Sequence, residues 1–257
     1  MLKNFLLPLA GMLLLAAAPV LAQSVSVEIA DDGGYTFPTY PADSHNGTWR
    51  AYVQAERDVR YGIRIRNNTG RRLGLVIAVD GRNIISGEKS HLRNTERMYI
   101  LAPYAEETYN GWRTSRDEIH RFYFTSEGDS YAEAWGDGSA MGVIAVAVYA
   151  EREQDIRRER RRMGDYPVRA PLNSMAAESA DEAAGTGFGE LEHSSSRLVE
   201  FQPEPSPLER HFYKYEWRES LCRKNIISCR PERRERENRM WDDDDGYAPY
   251  PPERRYP

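Results

Sequence analysis

The sequence predicts an all-β protein: an antiparallel β-sandwich-like domain with a flexible linker and a disordered C-terminal tail. Three observations carry this prediction. Residues Val59, Tyr61, Ile63 and Ile65 alternate with arginines, the period of a half-buried strand. Asp80-Gly81 sits between two apolar segments, and that pair suits a type I′ hairpin turn, in which both central positions take positive φ. Short apolar segments then recur every roughly 10–20 residues with turn residues between them, and no strand–helix–strand rhythm appears.

The elements follow in order. Lys3 and the apolar run Phe5–Ala18, ending at Val20-Leu21-Ala22, read as a signal peptide over residues 1–22. Ser24–Ile29 alternates as a short strand, within a lead-in over residues 23–46 that is otherwise rich in Gly, Pro, Tyr and Asn and reads as flexible. The sandwich domain is placed at residues 47–152. Leu73–Val79 is apolar throughout and reads as a strand buried on both faces. Ile84 and Ile85 begin its return strand. Met98–Leu101, Glu107–Trp112 and Ile119–Thr125 read as further short strands, and Gly142–Tyr149 is the strongest core strand. Residues 153–184 read as a charged helix and linker. Residues 185–230 add accessory strands at Arg197–Phe201 and Phe212–Trp217 and a cysteine loop. Two strands do not stand alone, so these are expected to dock on the first domain or on a partner. Residues 231–257 read as a disordered tail.

Composition narrows the function classes. The formal net charge is −5, which gives no general attraction to nucleic acid. Sixteen tyrosines argue for folded material, while a mean hydropathy of −0.72 leaves a large polar fraction outside any core. Cys222 and Cys229 are the two cysteines; in an oxidising compartment the pair is expected to form a disulfide. So short a loop contributes about 2–3 kcal/mol on chain-entropy grounds. Two thiolates without a neighbouring His do not complete a zinc shell, so no metal or cofactor is expected. Location is expected to be periplasmic or extracellular, with no stable membrane insertion once the leader is removed.

An ordered series of short motifs carries a resemblance. It runs Val79-Asp80-Gly81-Arg82-Asn83, Gly111-Trp112-Arg113-Thr114-Ser115, Phe122-Tyr123-Phe124-Thr125, Asp129-Ser130-Tyr131-Ala132 and Gly142–Val148. The series resembles a group of uncharacterised exported bacterial β-rich proteins, over roughly residues 50–150 and 185–230. The resemblance implies export and transfers no catalytic residue.

Trp112, Arg113 and Ser115 are the candidate binding residues, because a flat indole beside a guanidinium suits sugars, aromatics or peptide carboxylates. The competing reading packs Trp112 at a sheet edge. Asp129-Ser130 lacks a positioned base, and Gly185–Gly189 lacks the lysine of a phosphate loop. No catalytic set is complete. The function expected is therefore a non-enzymatic exported or envelope module that binds an envelope protein or a polysaccharide. The alternatives are a carbohydrate-active hydrolase using carboxylates from Asp80, Glu118, Asp129 and Asp137, and a purely structural envelope protein.

Overall fold

The computed structural model of the chain describes residues 23–45, 47–152 and 183–229. The signal peptide, nearly all of the charged helix and linker, and the tail expected from the sequence lie outside the described residues. In chain order the first strands are β1 (Val25–Ala30), β2 (Thr39–His45), β3 (Thr48–Ala55), β4 (Arg60–Asn67) and β5 (Leu73–Val79). Then come β6 (Arg82–Asn83), β7 (Tyr99–Leu101), β8 (Glu106–Tyr109), β9 (Gly111–Arg113) and β10 (Glu118–Ser126). β11 (Val143–Ala150), β12 (Ala184–Thr186), β13 (Leu191–His193) and β14 (Glu209–Trp217) complete the strands, and a helix α1 (Arg218–Arg223) follows.

The strands form two mostly antiparallel sheets that bury one shared core, the all-β sandwich read from the sequence. The first sheet runs β1-β4-β10-β12, with β13 and β9 also on β10 and β8 also on β4. β4 meets β10 only at Tyr61↔Phe122 and Arg60↔Tyr123. Beyond that point the two strands part, and the segment β8–β9 fills the wedge, pairing with β4 through Glu106–Tyr109 and with β10 through Gly111–Arg113. The strand read as continuous over 107–112 is thus broken at Asn110, whose carbonyl accepts the Phe122 N–H at 2.9 Å. Gly111 is required there: a Cβ would stand 2.1 Å from the His120 carbonyl oxygen.

The second sheet runs β2-β3-β14-β11-β5-β6, with β7 also on β5. Burial follows the sequence pattern. On β4, Tyr61, Ile63 and Ile65 point into the core while Arg60 and Arg66 are exposed. Every residue of β5 is buried, because Leu73, Leu75, Ile77 and Val79 join the inter-sheet core and Val76 packs with Ala147 and Tyr149 beneath Leu92 and Met98. Asp80-Gly81 forms the hairpin with φ 48° and 77°.

Three expectations are corrected. Ile84 and Ile85 do not extend the return strand. The Asn83 side chain accepts the Ile85 and Ser86 N–H groups, and that local turn competes with the ladder after Asn83. The lead-in is not wholly irregular, since β2 pairs antiparallel with β3 through most of its length. Most consequentially, the C-terminal segment is no accessory. β14 lies in the middle of the second sheet, antiparallel to β11 and parallel to β3, in register from Arg210↔Thr48 to Trp217↔Ala55. Its Tyr215 and Trp217 are buried because neighbours cover it on both sides. The Cys222–Cys229 disulfide, with Cα atoms 4.9 Å apart, then ties α1 to the loop after it.

Candidate functional site

A cleft of about 1020 Å³ opens where β7 of the second sheet faces β8 and β9 of the first. Residues 194–203 cross it as a strap. The sequence alternation at Arg197–Phe201 suggests a strand, but this stretch pairs with no described strand because it bridges from one sheet to the other. The first end of the strap is held by the β9–β10 turn. The Ser194 N–H donates to the Asp117 carbonyl and the Ser196 N–H to the Arg116 carbonyl, both at 2.8 Å. The far end is held by Arg72, which donates to the Glu200 carbonyl at 2.9 Å, and by the Arg152 N–H on the Gln202 carbonyl. Arg72 also ion-pairs with Glu151 and lies over the Phe201 ring. Between these anchors Arg197, Leu198 and Val199 are exposed and make no hydrogen bond to a described residue. Under the strap, Met98 and Phe201 crowd Gly74 of β5, where an added Cβ would lie 2.5 Å from the Met98 sulfur.

The aromatic wall is Tyr99 and Tyr109, whose ring centres are 4.5 Å apart. Burial raises the Tyr99 phenol above its usual range, against the opposing pull of the Arg113 guanidinium; burial also raises Tyr109, reinforced by the Glu107 carboxylate. Both phenols therefore stay neutral and act as hydrogen-bonding groups.

The three residues singled out in the sequence part company here. Arg113 lines the cleft and is its principal brace. Its guanidinium donates to the Tyr99 hydroxyl at 2.8 Å, to the Ser194 carbonyl at 2.8 Å and to the Ser194 hydroxyl at 3.0 Å. Ser115 also lines the cleft, with its hydroxyl on the Glu118 carboxylate at 3.2 Å. Trp112 does not reach it. As the alternating neighbour of Arg113 it points to the opposite face, is 2% exposed, and packs edge-on to Phe122 with its Nε1 donating to the Gly187 carbonyl at 3.1 Å. The proposed exposed indole is therefore corrected to a core residue.

None of Asp80, Glu118, Asp129 or Asp137 lines the cleft. Asp129 accepts the Ser126 hydroxyl; burial raises the Asp137 carboxyl, but the Ser139 hydroxyl and N–H and then the Lys89 ammonium hold it below its usual range. Ser130 is buried, its oxygen accepting the Glu133 N–H, and His120 stacks on Phe188 with Nδ1 at the Gly189 carbonyl.

Asp80 instead nucleates a polar node between the sheets that the sequence disclosed only as a turn. Its carboxylate accepts the Gly142 N–H at 2.8 Å, the Thr186 N–H at 2.8 Å and the Tyr215 hydroxyl at 2.5 Å. The Thr186 hydroxyl then lies 2.7 Å from both Tyr61 and Tyr215. The glycine-rich stretch Gly185–Gly189 joins this node at its start: Thr186 is fully buried and part of β12, because its N–H and hydroxyl complete the node. Complete burial pushes the Asp80 carboxyl up to about 6, and its donors only partly offset that. A second buried carboxylate, Glu209, accepts the Ser24 and Val25 N–H groups and the His211 ring N–H; burial raises its carboxyl, but these donors hold it below the usual range.

Among the described residues no group of three or more His, Cys, Asp and Glu side chains is placed to hold a metal, and no helix is long and apolar enough to cross a membrane. Comparison of the chain with protein families, with curated proteins and with solved structures returns no match.

Proposed function

We propose that the protein is an exported, non-catalytic module that binds a partner of the cell envelope along the strapped cleft. The observation that carries this reading is the cleft itself. Its size is at the upper end of small-ligand sites, which suits a segment of a polymer or chain rather than a compact metabolite. Its walls come from both sheets, and its cover is pinned at both ends while its middle makes no hydrogen bond to a described residue. Such a span can shift while the sandwich stays rigid, admitting an occupant without opening the core. Cys222 and Cys229 support work in an oxidising compartment.

Site-resolved photo-cross-linking in intact cells tests the proposal. A benzophenone side chain is placed at Leu198, 73% exposed on the strap, and in a second protein at Tyr35, 79% exposed at the β1–β2 turn. A discrete adduct from Leu198 and none from Tyr35 is expected. Equal labelling from both positions, or none from Leu198, overturns the assignment of the cleft.

A further inference from the structure

We infer that the occupant of this cleft is a carboxylated polysaccharide, an inference that rests on the cleft being the binding site. Charge is the first argument. Among the described residues five arginines line the cleft: Arg72, Arg97, Arg113, Arg116 and Arg197. Of the described acids only Glu96 and Glu107 do, so the described lining carries a local balance of +3 in a chain whose formal net charge is −5. Glu96 is already committed, accepting the Ser90 hydroxyl and the His91 and Arg93 N–H groups. The neighbouring acids Glu118 and Glu151 are held by Ser115 and Arg72. Arg97, Arg116 and Arg197 are exposed, and their guanidinium groups make no hydrogen bond or ion pair with a described residue. A planar guanidinium presents a fork of donors that matches a carboxylate.

The rest of the lining decides which anion. Three unengaged guanidiniums in a cleft this large are too sparse for a polyphosphate or nucleic acid, where charge is dense along the backbone. The lining also includes the hydroxyl residues Thr114 and Ser195 and the neutral phenols of Tyr99 and Tyr109. The Tyr109 hydroxyl makes no hydrogen bond to a described residue. Hydroxyl-rich, ring-containing units that each carry one carboxylate match this pattern of polar groups, aromatic surface and spaced cations. An acidic peptide is the competing polymer; its backbone amides also pair with hydroxyl and amide groups, so the poly-glutamate arm of the test below separates the two.

The test uses the chain purified from cells expressing the full sequence, with polygalacturonate as probe and dextran, poly-glutamate and polyphosphate as comparisons at equal charge or mass. Binding of polygalacturonate without binding of dextran is expected. Raising the salt from low to high ionic strength should weaken it by about fivefold or more. The double variant Arg116→Gln, Arg197→Gln should weaken it about tenfold, the scale of one or two lost charge-assisted contacts. The control Arg50→Gln, Arg66→Gln removes the same charge at two exposed positions that do not line the cleft and should change binding less than about twofold. Equal loss in both double variants, or tighter binding of poly-glutamate or polyphosphate, overturns the inference. Should Leu198 cross-link in cells while polygalacturonate fails to bind, the cleft stands and its assigned ligand falls; failure of both removes the two together.

Discussion

Asp80→Asn isolates the energetics of the buried node. Asparagine keeps the hairpin, because Asn-Gly is as well suited to the two positive-φ positions as Asp-Gly. It also keeps one carbonyl oxygen for the Gly142 N–H and the Tyr215 hydroxyl. Its amide nitrogen, however, replaces the oxygen that accepts the Thr186 N–H at 2.8 Å, so one buried donor loses its partner. That costs about 1–3 kcal/mol. The opposing effect is removal of a carboxylate that the fold ionises only reluctantly. With the folded carboxyl at about 6 and an ordinary value in the unfolded chain, keeping Asp80 charged at neutral pH costs about 3 kcal/mol. The two effects nearly cancel at pH 7, so the variant is expected within about 2 kcal/mol of wild type there.

The pH dependence separates them. The folded protein holds the Asp80 proton more tightly than the unfolded chain does. Its stabilising contribution is therefore complete at low pH and is lost as pH rises through about 6. Between pH 7 and pH 4 the wild type should gain about 2 kcal/mol from this group, while Asp80→Asn gains nothing from it. Urea denaturation of both proteins at pH 7, 6, 5 and 4 measures the difference, in which other titrating groups cancel. A difference that stays flat across this range would show that Asp80 titrates normally and that burial does not govern it.

Three further outcomes follow from the same contacts. Trp112→Ala should cost about 3–5 kcal/mol in denaturant melts, as expected for a buried aromatic, while the folded fraction binds any cleft ligand unchanged. Glu209→Gln should cost about 1–2 kcal/mol and raise hydrogen exchange at the start of β1, because one of its oxygens no longer accepts a Ser24 or Val25 N–H. That contribution is present at neutral pH and is lost as pH falls below the ordinary carboxylate range, since the folded carboxyl is depressed. Arg113→Lys replaces a fork that spans Tyr99 and Ser194 with a single ammonium, so tryptic cleavage after Arg197 should accelerate several-fold with the far-UV spectrum intact; an unchanged digestion rate would remove Arg113 as the brace of the strap.

What was legible in the sequence was local. Alternation places Tyr61, Ile63 and Ile65 inward, and the Asp-Gly pair places a hairpin, because both signals need only neighbours along one strand. What was not legible depends on long-range pairing. Trp112 and Arg113 are adjacent and look like one surface feature, yet strand geometry sends them to opposite faces, and only the register of β9 with β10 says which face is the core. Asp80 and Thr186 are 106 positions apart, so nothing local marks their bond. The alternation at Arg197–Phe201 misled because periodicity reports which residues share a side, not whether a partner strand is there to pair with.

The position of β14 makes the cleft contingent on the end of the chain. β3 and β11 do not pair with each other; each pairs with β14, one parallel and one antiparallel. The strap lies directly before β14 in sequence, and its far end is pinned by Glu200, Phe201 and Gln202 against Arg72 and Arg152, beside the β5–β11 pair. A chain ending at residue 208 would keep the strap residues but lose the strand that joins the halves of the second sheet. It would also lose buried Tyr215, Trp217 and Leu221, each worth about 1.5–3 kcal/mol, and would leave the Asp80 carboxylate without its tyrosine donor. That loss is comparable to the whole stability of a domain, about 5–15 kcal/mol. The truncated chain is expected to show no cooperative unfolding transition and a weakened β spectrum. A cooperative melt near the full-length midpoint would mean that β3 and β11 close on each other without β14, and that the cleft is framed before the final strand inserts.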